Sequence, residues 1–296
     1  MKILLFGGSG RLGARVWNAL YAEVDGVEIV APTHTQMPVE SKRIPELIEH
    51  LRPNLIINCS AMNGLENCRE NPRRAMEVNC MAPGVMAAEA MKRGCGFIHF
   101  STDYAEPAVD VYGATKYAGE KLAMLYENAA VFRLMSIYDI TDMAGSLSPV
   151  KLALEGKCSQ EKKARVLYQI TAPTFTGWIA QVIAKYVASK LWLKKDSAGL
   201  FCLSPYGQES KLHFAEDAID MFLQRRTVGW VEEGNDLKIP RPTHSVFDFN
   251  AHSRRIWLLS QLGLTLPSIR ENLEMAYRMW QSERHAGVSQ SASIST

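Results

Sequence analysis

The hydrophobic and polar positions in the first half of the chain alternate between two kinds of segment. Short continuous apolar runs, typical of strands buried on both faces, are separated by longer segments whose apolar residues recur at helical spacing. The predicted strands are Ile3–Phe6, Val27–Ala31, Leu55–Ala61, Phe97–Ser101 and Val131–Ile137. The predicted helices extend through Leu20, over Glu66–Ala90 with a turn or kink at Pro83, and from Tyr112 through Tyr126. This alternation predicts an α/β fold with a doubly wound, Rossmann-like parallel sheet.

From about Thr141 the alternation of strands and helices becomes less regular. The second half of the chain is predicted to form shorter, mainly helical elements. The predicted elements are a helix over Ser148–Glu155, a strand over Val166–Ile170, a helix over Thr174–Ser189, a strand over Leu200–Leu203, and helices over Leu212–Leu223, Ser253–Leu262 and Ile269–Trp280. We therefore predict a larger α/β domain over 1–205, with 141–175 contributing in part to a smaller, mainly helical lobe over 206–286. The Ser-rich segment 287–296 is predicted to be a disordered tail.

Composition and charge narrow the class of protein. Hydrophobic residues make up 47% of the chain and charged residues 22%, which is typical of a globular protein in water. The net charge of +2 provides no general attraction to nucleic acid or to a membrane surface. No run approaches the roughly 20 apolar residues that span a bilayer, and the apolar run at the N-terminus is too short for a signal peptide. We therefore predict a cytoplasmic protein that contacts neither nucleic acid nor membrane.

The six cysteines are scattered, with no Cys-x-x-Cys pair among them. Neither a disulfide framework nor a metal site is indicated by this spacing. A reducing compartment fits this usage.

A glycine-rich turn follows the first predicted strand. Gly7-Gly8-Ser9-Gly10-Arg11-Leu12-Gly13 lies between that strand and the first helix. Glycines at this place permit a tight turn and a close approach of the backbone to a pyrophosphate, while the helix N-terminus offers N–H donors. The order strand, glycine turn, helix predicts a dinucleotide-binding site.

The identity of the dinucleotide depends on the residues around its adenosine ribose. An NAD site typically offers a carboxylate after the second strand, but Pro32-Thr33-His34 provides none. Arg11, inside the glycine turn, could face a 2′-phosphate, or it could be a solvated loop side chain. We therefore predict that NADP is preferred and that NAD is compatible with the site.

Tyr112 and Lys116 are candidate catalytic residues. Side chains four apart on a helix share a face, so the phenol and the ammonium can point into one pocket. A nearby cation lowers the pKa of a phenol from its ordinary value near 10, which would make Tyr112 a better acid near neutral pH. Tyr-x-x-x-Lys alone also occurs by chance, so the pair gains weight only from its neighbours in the sequence.

Several ordered motifs together resemble the extended short-chain dehydrogenase/reductases, and within them the dTDP-4-dehydrorhamnose reductase family. The resemblance extends from Lys2 to about Trp280. Its motifs are the glycine turn, Asn58-Cys59-Ser60-Ala61, Ser101-Thr102-Asp103-Tyr104, Tyr112-Gly113-Ala114-Thr115-Lys116, Arg133-Leu134-Met135-Ser136-Ile137-Tyr138, Ala172-Pro173-Thr174, Gly199-Leu200-Phe201-Cys202-Leu203 and Arg241-Pro242-Thr243-His244-Ser245-Val246-Phe247-Asp248.

The resemblance implies reduction of a 4-keto group on a nucleotide-linked deoxysugar, with an NAD(P)-binding domain over 1–205 and a substrate-binding lobe over 206–286. Tyr112 would donate the proton, Thr102 would hydrogen-bond the carbonyl, and Lys116 would lower the pKa of Tyr112 and hold the nicotinamide ribose. The implied cofactor-binding residues are Gly7, Gly10, Arg11, Leu12, Gly13, Ser60, Ala61, Ser101, Tyr112 and Lys116. The implied substrate-binding residues are Asp103, Tyr104, Ser136 and Arg241, the last as a partner of the diphosphate.

Three positions depart from the family pattern. The segment between Thr102 and Tyr112 is much shorter than in the family, which removes part of the expected substrate wall. Ser136 replaces an aromatic residue expected against the sugar, so the packing of the sugar must differ. Pro38 replaces an aspartate expected near the adenine.

Two other functions are compatible with these departures. One is a cofactor-binding interaction protein without catalysis, like the β subunit of methionine adenosyltransferase, which resembles the same family. The other is a sugar-nucleotide epimerase, which would retain its cofactor through turnover. For a reductase, the expected partner is a small-molecule nucleotide-sugar substrate. The sequence is also compatible with a homodimer.

Overall fold

The computed structural model describes residues 1–143, 145–234 and 249–293. The strands are β1 Lys2–Phe6, β2 Glu28–Val30, β3 Leu55–Asn58, β4 Gly96–Thr102, β5 Ala129–Leu134, β6 Ile137–Tyr138, β7 Ala164–Leu167, β8 Ile170–Thr171, β9 Thr174–Phe175, β10 Gly199–Leu203, β11 Glu209–Ser210 and β12 Val231–Gly234. The helices are α1 Arg11–Glu23, α2 Ile44–Leu51, α3 Leu65–Glu70, α4 Pro72–Met76, α5 Ala82–Arg93, α6 Val111–Ala123, α7 Ser148–Leu154, α8 Thr176–Ala188, α9 Lys211–Leu223, α10 Phe249–Gln261 and α11 Ile269–Ser293.

Six parallel strands form the central sheet in the order β10-β5-β4-β3-β1-β2. The chain passes from β1 to β2 on one side and returns to β3 on the other, so the strand order reverses between β1 and β3. Ligands of doubly wound sheets bind at such a reversal, beyond the carboxyl ends of the strands. The predicted fold class, a doubly wound parallel sheet, is confirmed.

Both faces of the sheet are covered because its strands are apolar on both sides. Leu4, Ile56 and Phe97 belong to a buried cluster that also contains residues of α2, α5 and α6. Neighbouring strand positions point the other way, and on that face the Phe132 ring lies 5.8 Å from the ring of Tyr186 in α8. This sandwich of helix, sheet and helix holds the strand ends rigidly at one edge.

The described residues divide into two compact units. The first comprises 1–135, 179–203 and 249–266 and contains the central sheet. The second comprises 136–178 without residue 144, 204–234 and 267–293. Its strands form three two-stranded ladders, which pair β6 with β9, β7 with β12, and β8 with β11. Its core includes Tyr138, whose ring centroid lies 5.2 Å from that of Phe214.

These units differ in detail from the predicted linear domains. The sequence assigns α10 to the C-terminal lobe, whereas in the structure α10 lies in the first unit, with Arg254 4.7 Å from the ring of Phe201 in β10. The last helix continues to Ser293, into the segment predicted as a disordered tail. The assignment of ligand roles to 1–205 and 206–286 stays a prediction. Over the described ranges, no helix is both long and apolar enough to cross a membrane.

Candidate active site

The glycine turn between β1 and α1 is built by close backbone approaches. Gly7 adopts φ +75°, and a Cβ placed on it would lie 2.7 Å from the backbone nitrogen of Ser60. A Cβ on Gly13 would lie 2.0 Å from the carbonyl oxygen of Gly7. Gly10 precedes α1 and donates its N–H to the same carbonyl at 3.0 Å. Only glycine fits these contacts, and the resulting turn at the N-terminus of a 13-residue helix is suited to a pyrophosphate.

The other residues predicted around the cofactor have different surroundings. Leu12 is buried beneath the turn, and Arg11, the first residue of α1, is exposed. Ala61 lines the cleft beside the glycine turn. Ser101, in β4, is buried, and among the described residues its hydroxyl has no hydrogen-bond partner.

A hydrogen-bonded chain connects β4 to the glycine turn. The Nδ2 atom of Asn58 lies 3.2 Å from Nδ1 of His99, and Oδ1 of Asn58 accepts bonds from the backbone and the hydroxyl of Ser60. Asn58 and His99 are fully buried. Burial, assisted by the nearby Lys116 ammonium, lowers the pKa of His99 well below its ordinary value, so the imidazole is neutral. This chain holds Ser60 against Gly7.

A cleft of about 350 Å³ extends from the glycine turn. One end is lined by Gly7, Ser9 and Ser60, and the cleft continues past Pro32 and His34 after β2. Its size falls at the lower end of the range of ligand pockets in proteins. The cleft therefore joins the two segments that hold a dinucleotide's pyrophosphate and adenosine in folds of this kind.

Thr102 is the last residue of β4 and caps the 3-10 turn Asp103–Ala105. Its hydroxyl accepts the N–H of Tyr104 at 3.3 Å and donates to Oδ1 of Asp103 at 3.0 Å. The Tyr104 ring packs edge-on against Tyr112, with centroids 6.0 Å apart. The turn thus brings Thr102, Asp103 and Tyr104 to the start of α6.

Tyr112 and Lys116 both lie on α6, which begins after Asp110, whose carboxylate accepts the N–H of Gly113 at 2.8 Å. Burial raises the pKa of Tyr112 above its ordinary value, and the carboxylate of Asp103 acts in the same direction, while a hydrogen bond with the Thr102 hydroxyl opposes the rise. The phenol is protonated at neutral pH, which is the form that donates a proton.

Lys116 is 2% exposed, and its ammonium donates to the carbonyl oxygen of Phe100 at 2.6 Å. Burial lowers the pKa of Lys116 to about 8, although Glu120 and Cys59 pull in the opposite direction. The expectation that Lys116 lowers the pKa of Tyr112 is not met in this structure. The net direction for the phenol is upward because burial outweighs the opposing hydrogen bond.

The short segment between Thr102 and Tyr112 is held by contacts with β5 and α6. Arg133, in β5, is buried and makes a two-pronged contact with Glu120 of α6, with both N–O distances 2.8 Å. Its remaining nitrogen binds Glu106, which follows the 3-10 turn. A Cβ on Gly113 would lie 2.4 Å from the carbonyl oxygen of Tyr104, so the segment also packs tightly on α6. These contacts fix the segment between Thr102 and Tyr112 against β5 and α6.

Asn79 is a buried residue for which the sequence suggests no role beyond helix formation. It lies in the π-helical turn Glu77–Met81, accepts the N–H of Met62 at 2.8 Å and donates to the carbonyl of Met62 at 3.0 Å. Its side chain also donates to Thr115 at 3.3 Å. Asn79 therefore ties the cleft wall after β3 to the helix of Tyr112 and Lys116. An asparagine within an otherwise apolar helical stretch is the one sequence signal that could have indicated it.

The remaining predicted substrate residues are Ser136 and Arg241. Ser136 belongs to the second unit, adopts φ +39°, and its hydroxyl lies 2.9 Å from that of Thr171. A positive φ in serine is uncommon and marks a constrained turn. Arg241 lies outside the described residues.

Comparison with curated proteins places this arrangement among sugar-nucleotide enzymes. The chain is 27% identical to the dTDP-4-dehydrorhamnose reductase of Escherichia coli, over 73% of this chain and 76% of the relative. It is 24% identical to the spore coat polysaccharide biosynthesis protein SpsK of Bacillus subtilis, over 84% of this chain and 90% of the relative.

Solved structures share the fold. A dTDP-4-dehydrorhamnose reductase from Clostridium acetobutylicum superposes with a TM-score of 0.77 at 22% identity, covering 95% of this chain and all of that one. The Bacillus anthracis enzyme in complex with NADP has a TM-score of 0.75 at 21% identity, with 94% and 98% covered. A UDP-glucose 4-epimerase from Thermotoga maritima has a TM-score of 0.71 at 14% identity, with 96% and 99% covered.

The family follows from the match over most of the chain. Residues 1–273 match the RmlD substrate binding domain family. This agrees with the resemblance to the extended short-chain dehydrogenase/reductases and the dTDP-4-dehydrorhamnose reductases on which the sequence motifs converge. The chain belongs to the RmlD substrate binding domain family.

Proposed function

We propose that the chain is an NADPH-dependent reductase of a 4-keto, nucleotide-linked deoxysugar. The observation that carries this proposal is the meeting of the end of β4 with the start of α6, where the Tyr112 ring lies 6.0 Å from that of Tyr104 and the Lys116 ammonium donates to the Phe100 carbonyl at 2.6 Å. A protonated phenol beside the end of β4, where Thr102 lies, is suited to donate a proton to a carbonyl oxygen. The relatives named as dTDP-4-dehydrorhamnose reductases support the substrate class.

In the proposed reaction the carbonyl carbon accepts a hydride and its oxygen accepts a proton. The hydride comes from the reduced nicotinamide. The proton leaves the Tyr112 phenol as the C=O bond becomes a hydroxyl, and the phenolate is reprotonated from solvent. Thr102 donates a hydrogen bond to the same oxygen, and the Lys116 ammonium holds the nicotinamide ribose.

The cofactor is proposed to lie along the cleft, with its pyrophosphate at the glycine turn. Gly7, Gly10 and Gly13 leave the backbone accessible, and Ser60 and Ala61 line the wall. NADP is preferred and NAD is compatible, as supported by the NADP complex of the Bacillus anthracis relative. Arg11, Leu12 and Ser101 complete the proposed set of cofactor-binding residues.

The sugar is proposed to contact Asp103 and Tyr104, with Ser136 and Arg241 contributing to recognition of the sugar and the diphosphate. Because the segment after Thr102 is short, the wall beside the sugar is formed by the turn of Asp103 and Tyr104 rather than by a longer loop. The proposed substrate is a small-molecule nucleotide sugar.

The decisive experiment follows the loss of NADPH absorbance with a panel of 4-keto nucleotide sugars, with NADH in parallel. Tyr112→Phe should reduce turnover by about 100-fold or more, because general acid catalysis contributes that much, while the Kd for NADPH changes little. Tyr117→Phe is the matched control, since Tyr117 lies on the same helix and is partly exposed, with its ring against Lys121. This control should retain full turnover.

Three outcomes would refute the proposal. A Tyr112→Phe variant as active as the Tyr117→Phe variant would show that the phenol is not the acid. Binding of NADPH without turnover of any keto sugar in the panel would favour the non-catalytic interaction protein, whereas turnover with retention of bound cofactor would favour an epimerase.

A further inference from the structure

The cleft beside the glycine turn contains three polar side chains that no role above uses. Arg74, in α4, lies with Nη2 3.5 Å from Oε1 of Glu40 and 3.5 Å from Nε2 of His34. All three residues line the same cleft as Gly7 and Ser9. A cation, a carboxylate and an imidazole therefore meet in the cleft.

Their position corresponds to the adenosine ribose of a bound dinucleotide. Pro32 and His34 follow β2, and residues just after this strand recognise the ribose hydroxyls in dinucleotide-binding folds. The sequence shows no carboxylate directly after β2, but the chain brings Glu40 into the cleft from further along the connection to α2. Arg11 is not among the residues lining this cleft, whereas Arg74 is.

The two charged groups favour different ribose substituents. The planar guanidinium of an arginine matches the oxygens of a phosphate, and Arg74 is 56% exposed and only loosely paired, so it can turn toward one. A carboxylate accepts hydrogen bonds from free ribose hydroxyls and repels a phosphate. The Oε2 atom of Glu40 is buried and, within the described part of the chain, has no hydrogen-bond partner.

We propose that Arg74 and Glu40 together select the cofactor. Arg74 binds the 2′-phosphate of NADP(H), Glu40 accepts hydrogen bonds from the ribose hydroxyls of NAD(H), and the Glu40 carboxylate repels the 2′-phosphate. This inference rests on the cofactor-binding part of the proposed function and assigns the 2′-phosphate to Arg74 in place of Arg11. It is independent of the substrate and of Tyr112.

The test measures binding, not turnover. Kd values for NADPH and NADH are measured by fluorescence titration, and those for adenosine 2′,5′-bisphosphate and 5′-AMP by competition, because the last two differ only in the 2′-phosphate. Arg74→Gln should raise the Kd for NADPH and the bisphosphate by about 10- to 100-fold, the loss expected for a charge-assisted contact, while the Kd for NADH changes less than about threefold. Glu40→Gln should weaken NADH and leave NADPH as tight or tighter.

Arg73→Gln is the matched control. Arg73 precedes Arg74 on the same short helix and carries the same charge, but its side chain is 93% exposed and pairs with Glu77 at 3.0 Å. Its substitution should change neither Kd, which separates a specific contact from a loss of net charge. Because the ratio of the two Kd values does not depend on the folded fraction, a poorly folding variant still reports selectivity.

Two results would overturn the inference. One is an Arg74→Gln variant with the same Kd ratio as Arg73→Gln, and the other is a selective loss of NADPH binding in Arg11→Gln alone. Different results would contradict the inference and the proposed function. A chain that binds cofactors with this selectivity but reduces no keto sugar supports the inference and contradicts the reductase, and an active reductase whose selectivity ignores Arg74 does the reverse.

Discussion

Lys116 illustrates how burial changes the chemistry of a single residue. Its position one turn after Tyr112 predicts a cation that lowers the pKa of the phenol. In the structure, however, the ammonium binds the Phe100 carbonyl and its own pKa falls to about 8. Burial of the phenol raises the pKa of Tyr112. The acid is thus kept protonated, and the cation is the group that titrates near physiological pH.

This depressed pKa predicts how the stability of the protein depends on pH. A lysine in an unfolded chain keeps its proton until about pH 10.4, whereas buried Lys116 loses it near pH 8. Between these values the unfolded state binds more protons, so the free energy of unfolding rises with pH. This gain is lost again as pH falls back through about 8. Urea denaturation from about pH 7.5 to about 9.5 should show a gain of about 2 kcal/mol for the parent chain relative to Lys116→Met.

The same comparison shows what would contradict the assignment. If the parent chain and Lys116→Met change in parallel over this pH range, Lys116 does not have a lowered pKa in the folded state. Other groups that titrate above pH 8 contribute equally to both proteins and cancel in the difference.

At the scale of elements, α6, the helix of Tyr112 and Lys116, packs closely against its neighbour at a glycine. A Cβ on Gly119 would lie 2.0 Å from the carbonyl oxygen of Asn79, so α6 contacts the backbone of the π-helical turn directly. The periodic pattern predicts α6 and the helical stretch around Asn79, but not the π-helical turn or this contact. Local spacing carries no information on the distance between two backbones.

Gly119→Ala should therefore destabilise the fold and displace α6. We expect a loss of about 2 kcal/mol or more of unfolding free energy, because backbone cannot yield as a flexible side chain does, together with a fall in turnover. Gly84→Ala in α5 is the control, since its Cβ would meet the flexible Leu122 side chain at 2.9 Å. The gain in helix propensity of up to about 1 kcal/mol should offset that contact. Urea denaturation of both variants provides the measurement, and equal stability would contradict the packing argument.

The short strands β6, β8, β9 and β11 show the limit of pattern reading at this scale. Each contains only two residues, too few for the alternation that identifies a strand. β12, although longer, lies in a region that reads as mainly helical. By contrast, β1, β3, β4 and β5 were predictable because their apolar runs are continuous and buried on both faces.

At the scale of the whole molecule, distant parts of the chain are joined by buried polar groups. Asn272, in α11, is fully buried, and its Oδ1 accepts the backbone N–H of Phe175 at 2.6 Å and the hydroxyl of Tyr138 at 3.4 Å. These bonds connect the last helix to β9 and β6 within the second unit. The C-terminal helix is therefore part of the core of that unit.

Asn272→Ala should reduce the free energy of unfolding by about 2 to 3 kcal/mol, because it leaves a buried N–H without its acceptor. Gln281→Ala is the control on the same helix, since the Gln281 side chain is exposed and bonds the Tyr277 hydroxyl at 2.9 Å. That change should stay within about 0.5 kcal/mol. Equal urea midpoints for the two variants would show that α11 contributes little to the core.

The sequence alone determined the six strands of the central sheet, the glycine turn, and the Tyr112 and Lys116 pair, and its motifs indicated the family. These features depend on the spacing of residues near each other in the chain, and strands and helices impose spacings that can be recognised in a sequence. Only the tertiary structure decided that Glu106 and Glu120 share Arg133, that Glu40 meets Arg74, and in which direction burial moves the pKa of Lys116. Such features depend on groups far apart in the chain and on their removal from water, and neither is encoded in local periodicity.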